Sequence, residues 1–190
     1  MSGPLILGFD TSGPHCAACL TEGHEILCAV GEDMARGQAE RLMDLLQEVL
    51  SAKGKTWADL DALAVGTGPG NFTGIRIGVS AARGLALGLN IPAYGVTGFD
   101  ARKELAPDGA MIAIPAPRDM AYVSDAQGVR LITLDEVTQT APRPTPADLA
   151  TGVALHAACL WPATPKPPAP FYVRAPDAAP ARDAPPRILT

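Results

Sequence analysis

The stretch AVGTGPGNFTGIRIGVSAARGLALGL, residues 64–89, sets the tightest limits on what this chain can fold into. It reads as a short apolar strand, a loop punctuated by Gly66, Gly68, Gly70 and Gly74, and a long apolar helix from about residue 74 to 89, closed by Asn90 and Pro92. Proline lacks a backbone donor and forbids continuation. Glycine inside a helix costs about 1 kcal/mol against alanine, so glycines this dense call for a compensating close approach to the backbone. A phosphate group and a packed partner are the two readings.

The phosphate reading fits poorly. A dinucleotide loop needs G-x-G-x-x-G, but Asn71 and Thr73 stand where the third glycine belongs in the two available registers. A P-loop needs a lysine, and none lies between Lys55 and Lys103. The packing reading fits better: Gly74, Gly78 and Ala82 recur every fourth residue, as do Gly84 and Gly88, which lets a second helix come near. The large apolar residues are spread around the helix, so it is expected to be apolar on more than one face. The second surface against it is the helix of residues 38–53, another protein, or both, and full enclosure within one domain is the bland alternative. Arg76 and Arg83, seven apart, pair with acids of the chain or donate across an interface.

Around this segment the chain reads as α/β. PLILGFD, HCAACLTEG and HEILCAVGED are three strands joined by tight turns, and QAERLMDLLQEVLSAK is an amphipathic helix with Leu42, Leu45, Leu46, Val49 and Leu50 on one face. Thr56 and Asp59 form a capping box before a strand at residues 62–66, AYGV is the next strand, and Thr97 caps a short helix. Beyond residue 106 short strands surround a turn at Gly128, and a helix begins near Pro146. Twelve of the 19 prolines lie from Pro142 onward, so the tail is expected to be extended. A boundary near residues 97–106 divides a first lobe, 1–100, from a second, 101–190.

Bulk composition narrows the function. With 190 residues, 47% of them hydrophobic, the chain can bury a substantial core. A formal charge of −5 argues against binding nucleic acid unaided, because phosphate-backbone affinity comes mainly from Lys and Arg. No membrane span or export signal is evident, so a cytoplasmic location and reduced cysteines are expected. Cys16 and Cys19 form C-x-x-C, but in a strand they point to opposite faces and cannot share a metal; no metal site is expected.

ILGFDTSGPHCAACL, AERLMDLLQEVL, the segment from ADLDALAVGTGPGNFTG to AYGVTGFDA, and PFYVRAPDAAP together resemble the bacterial TsaB family of tRNA threonylcarbamoyladenosine biosynthesis proteins. The resemblance implies an actin-like ATPase fold of two ribonuclease-H-like lobes, the second shortened here. It also implies a non-catalytic subunit that pairs with itself or with the related TsaD through first-lobe helices. TsaD transfers a threonylcarbamoyl group to the adenosine beside the anticodon, aided by TsaE, so contact with tRNA is indirect. The expected interface is Leu42, Leu46, Gly70, Phe72, Thr73, Gly74, Arg76, Gly78, Ala82 and Arg83. The family usually has a histidine where this chain has Gln38.

In the wider superfamily Asp10, Thr11 and Ser12 would belong to the first phosphate loop, where the carboxylate holds hydrated Mg²⁺. Catalysis there also needs a Gly-Gly adenosine platform, and this chain has no Gly-Gly pair. The loop is therefore expected to be degenerate, with no cofactor, which leaves an ATP-dependent phosphotransferase as the alternative. A glycoprotease-like hydrolase is disfavoured by scattered histidines, His15, His24 and His156.

Overall fold

The computed structural model describes residues 3–125, 128–137 and 143–173. Three strands open the chain, β1 (Leu5–Asp10), β2 (His15–Glu22) and β3 (Glu25–Asp33), followed by helix α1 (Gln38–Ser51). A single 3₁₀ turn, Trp57–Asp59, carries the expected Thr56–Asp59 capping box and leads into β4 (Ala62–Gly66). Next come α2 (Phe72–Leu89), β5 (Ala93–Val96) and the short α3 (Gly98–Lys103). A second group comprises β6 (Ala113–Ala116), β7 (Met120–Asp125) and β8 (Gly128–Thr133), and α4 (Pro146–Leu160) closes the sequence of elements. Among the described residues no helix is long and apolar enough to cross a membrane.

The five early strands form one sheet in the order β3-β2-β1-β4-β5. β1, β2 and β3 pair antiparallel, whereas β4 pairs parallel with β1 and β5 parallel with β4, a pairing that needs the long connections carrying α1 and α2. β1 is central and covered on both faces, which explains why LILGFD is buried throughout instead of alternating. β6, β7 and β8 make a separate antiparallel sheet of three strands.

The first sheet buries its two faces differently. Toward α1 and α2 it presents Leu7, Phe9, Leu20, Leu63 and Val65, which pack with Leu42, Leu45, Leu46, Val49 and Leu50. Toward α4 it presents small residues: Ala17 and Cys19 meet Ala150 and Ala154, and Ile6, Ala62 and Ala64 meet Val153 and Ala157. A Cβ at Gly8 would stand 2.8 Å from the Ala154 Cβ, so this helix reaches within backbone distance of β1. Although α4 follows the second sheet in sequence, it lies on the first.

Cys16 packs in the larger cluster and Cys19 in the opposite one, as their strand spacing dictates. Burial pushes both thiols up to about 11.

Candidate functional site

β1 ends in a turn whose polar side chains hydrogen-bond within the chain. Asp10 Oδ1 accepts from the Ser12 amide (2.8 Å), the Ser12 hydroxyl (2.8 Å) and His15 Nε2 (2.7 Å). Burial raises the Asp10 pKa, but the hydrogen bond and electrostatic attraction of His15 and the two Ser12 bonds outweigh it and hold the carboxyl below its ordinary value. The Thr11 hydroxyl, fully buried, donates to the Gly74 carbonyl at 2.7 Å. The Ser12 carbonyl accepts from the Asn71 amide at 2.6 Å. Asn71 in turn caps α2, its side chain accepting from the Gly74 amide.

This turn is what approaches the glycines. A Cβ at Gly66 would stand 1.7 Å from Asp10 Oδ2, one at Gly70 2.1 Å from the Ser12 carbonyl oxygen, and one at Gly74 1.9 Å from that of Thr11. At Gly78 it would stand 2.8 Å from the Thr11 hydroxyl oxygen and 3.2 Å from Val65. Neither a phosphate nor a foreign helix is needed to account for them. The glycine loop is a socket for the chain's own first turn.

Five of the residues expected at an interface pack inside this chain. Gly74, Gly78 and Ala82 are buried against β1 and β4, and Leu42 and Leu46 are core residues beneath α1, so none of the five reaches the surface. The second face of α2 is mixed and not wholly apolar: Thr73, Arg76, Ser80 and Arg83 are exposed along it, and Leu87 supplies the large apolar side chain exposed there. A Cβ at Gly84 or Gly88 would have no neighbour within 4 Å, so their side of the helix is open. Gly70 is exposed and Phe72 half-buried.

At the start of α2 the outer face is finished by a residue from the far end of the chain. Phe72 stacks on Tyr172 with ring centroids 5.0 Å apart, the Arg76 guanidinium lies 3.9 Å over the Phe72 ring, and Arg76 Nε donates to the Tyr172 hydroxyl at 3.0 Å. The adjacent Phe171 amide donates to the Thr67 carbonyl at 2.8 Å, pinning this segment beside the glycine loop. The rest of the expected extended tail, from residue 174, lies outside the described residues.

Sequence reasoning misses three residues here. In the sequence His15 stands out only as a neighbour of C-x-x-C, yet a hairpin brings the end of β1 against the start of β2 and so places it on Asp10. Arg102, on α3, is part-buried; burial lowers its pKa while the Asp10 carboxylate raises it. Tyr172 is joined to Phe72 across 100 positions, and no local signal announces that contact. Gln38, where the family resemblance leads us to expect a histidine, is buried and donates weakly through Nε2 to the Met34 and Gly13 carbonyls, at 3.3 and 3.5 Å.

Comparison with known proteins follows the same lines. The family model described as "TsaD: tRNA N6-adenosine threonylcarbamoyltransferase" matches residues 29–141. An uncharacterized protein of Mycobacterium tuberculosis is 32% identical over 92% of this chain and 94% of its own length. The tRNA threonylcarbamoyladenosine biosynthesis protein TsaB of Escherichia coli is 38% identical over 48% of this chain and 39% of its own. That of Haemophilus influenzae is 31% identical over 65% and 54%. The solved structure of YeaZ from Pseudomonas aeruginosa superposes with a TM-score of 0.65 at 24% identity, covering 83% of this chain and 92% of that one. Sheet order and superposition give the actin-like, ribonuclease-H-like α/β fold. The chain belongs to the TsaD-type family and is a homologue of its TsaB members.

Proposed function

We propose that this chain is a cytoplasmic, non-catalytic subunit of the machinery that forms threonylcarbamoyladenosine in tRNA, pairing with TsaD to support transfer of the threonylcarbamoyl group to the adenosine beside the anticodon. Involvement in that biosynthesis rests on the TsaB relatives. The subunit role rests on one observation: the outer face of α2 leaves Gly84 and Gly88 uncovered and Leu87 85% exposed, while the Asp10–Ser12 turn has its polar groups engaged internally. Exposed apolar surface beside open glycines suits a backbone approaching from another molecule. The same face serves a homodimer when TsaD is absent, and TsaE and tRNA are reached only through TsaD.

The test is mass and size analysis of the purified chain, alone and mixed with TsaD of its own organism. A one-to-one complex is expected, lost in Gly88→Leu, which fills open space and leaves the fold intact. A chain that stays monomeric in the presence of TsaD overturns the reading.

A further inference from the structure

A cavity of about 610 Å³ lies between the two sheets, bounded by the β1–β2 turn, α3, the second sheet and the start of α4. That volume falls in the range of roughly 300–1,000 Å³ typical of small-molecule sites. Its walls are mainly apolar, with Leu105, Ile112, Ala121 and Leu149 among them, and the polar groups set into it are few. His15 lines it from the turn and Arg102 from α3; Asp33 and Arg143, both exposed, stand at the rim.

Arg102 distinguishes this cavity from a packing fault. Its guanidinium carries five N–H donors, and among the described residues its hydrogen bonding is confined to Nη1, which donates to the Gly98 carbonyl at 2.9 Å. Among the described residues no carboxylate lies in ion-pair contact with it: Asp10, whose Oδ1 accepts from Ser12 and His15, attracts Arg102 only through space. A part-buried guanidinium with idle donors facing an apolar cavity is matched by an anion that brings its own acceptors. Asp10, hydrogen-bonded to His15 of the lining and near enough to attract Arg102, and Asp33 at the rim limit how much negative charge the space accepts, since like charges repel.

We propose that this inter-sheet cavity binds a small amphipathic monoanion, a carboxylate with an apolar body, whose head group is held by the Arg102 fork and whose body lies on Leu105, Ile112, Ala121 and Leu149. Polyphosphates are disfavoured by the flanking carboxylates, and organic cations by Arg102. The site is separate from the outer face of α2 and does not depend on pairing with TsaD.

Isothermal titration calorimetry of the full-length chain with octanoate, octylammonium, inorganic phosphate and Mg-ATP tests this. Octanoate is expected to bind at one site, at least tenfold more tightly than the other three. Arg102→Met should weaken it at least tenfold, and Arg102→Lys should restore only part of the loss, because an ammonium lacks the planar fork. Should Arg102→Met fail to fold, Leu105→Trp serves instead: Leu105 is 38% exposed at the cavity wall, and an indole there should block octanoate without disturbing the core. Equal binding of octylammonium, stronger binding of Mg-ATP or phosphate, no octanoate binding, or octanoate binding unchanged in these variants overturns the proposal.

Discussion

The hydroxyl of Thr11 donates to the carbonyl of Gly74 across 63 positions of sequence, and both groups are buried. Through this bond the end of β1 and the first turn of α2 are a single unit. A carbonyl in the first turn of a helix is ordinarily an acceptor for the next turn alone, so the Thr11 bond adds a tether that tolerates no side chain at position 74.

Gly74→Ala and Gly84→Ala should therefore move stability in opposite directions. At Gly74 a methyl meets the Thr11 carbonyl, and overpacking of this kind costs about 1–3 kcal/mol. At Gly84 it meets nothing, and the helix gains about 1 kcal/mol from the better propensity of alanine. Urea denaturation of the two variants beside the parent chain measures both; Gly74→Ala no less stable than the parent would refute the socket.

The Asp10 carboxyl titrates below its ordinary value when folded, so its ionisation stabilises the fold above about pH 4 and that contribution disappears as pH falls through the lowered value. Asp10→Asn should cost about 1–3 kcal/mol at neutral pH, because His15 and Ser12 lose a charged acceptor in a buried place. The gap between variant and parent should shrink as pH drops below about 4. A gap constant from neutral pH down to about pH 3 would mean that the carboxylate charge plays no part.

Leu87→Asp should leave the melting temperature nearly unchanged, since a substitution at a residue 85% exposed stays within about 0.5 kcal/mol. Co-purification with TsaD should nevertheless fall at least tenfold. Undiminished pairing would move the interface off this face of α2.

Tyr172→Ala should release the C-terminal segment from α2. The loss of its stack on Phe72 and its bond from Arg76 is worth about 0.5–1.5 kcal/mol. Limited proteolysis beyond residue 161 should become faster while cleavage within α2 does not. Equal rates in parent and variant would show that the Phe171 amide bond to Thr67 holds the segment by itself.

Native alkylation at mildly alkaline pH should modify Cys159, which is exposed, and spare Cys16 and Cys19, whose thiols are buried and held protonated by their surroundings. In denaturant all four cysteines should react. Mass spectrometry of the digested chain reads the sites directly.

Elements with local signals were legible in the sequence. The leucine spacing of α1, the Thr97 cap of α3, the Thr56–Asp59 box and the Pro146 start of α4 all lie where their residues indicate. α2 begins two residues earlier than its glycines suggest, because Asn71 supplies a cap that apolar periodicity does not register. The glycine loop announced a close approach but not by what, since a missing side chain does not name its neighbour. Leu42 and Leu46 look alike whether they face a core or a partner. Arg102, His15 and Tyr172 gain their meaning from chain segments brought together by the sheet order, and periodicity carries nothing of that.

The placement of α4 on β1 has a consequence for how the molecule is made. One face of the central strand, with Gly8 at its middle, is not closed until residue 160 has left the ribosome, because it is α4 that packs against Gly8. The nascent N-terminal lobe therefore emerges as half a sandwich, and its final closure waits for α4.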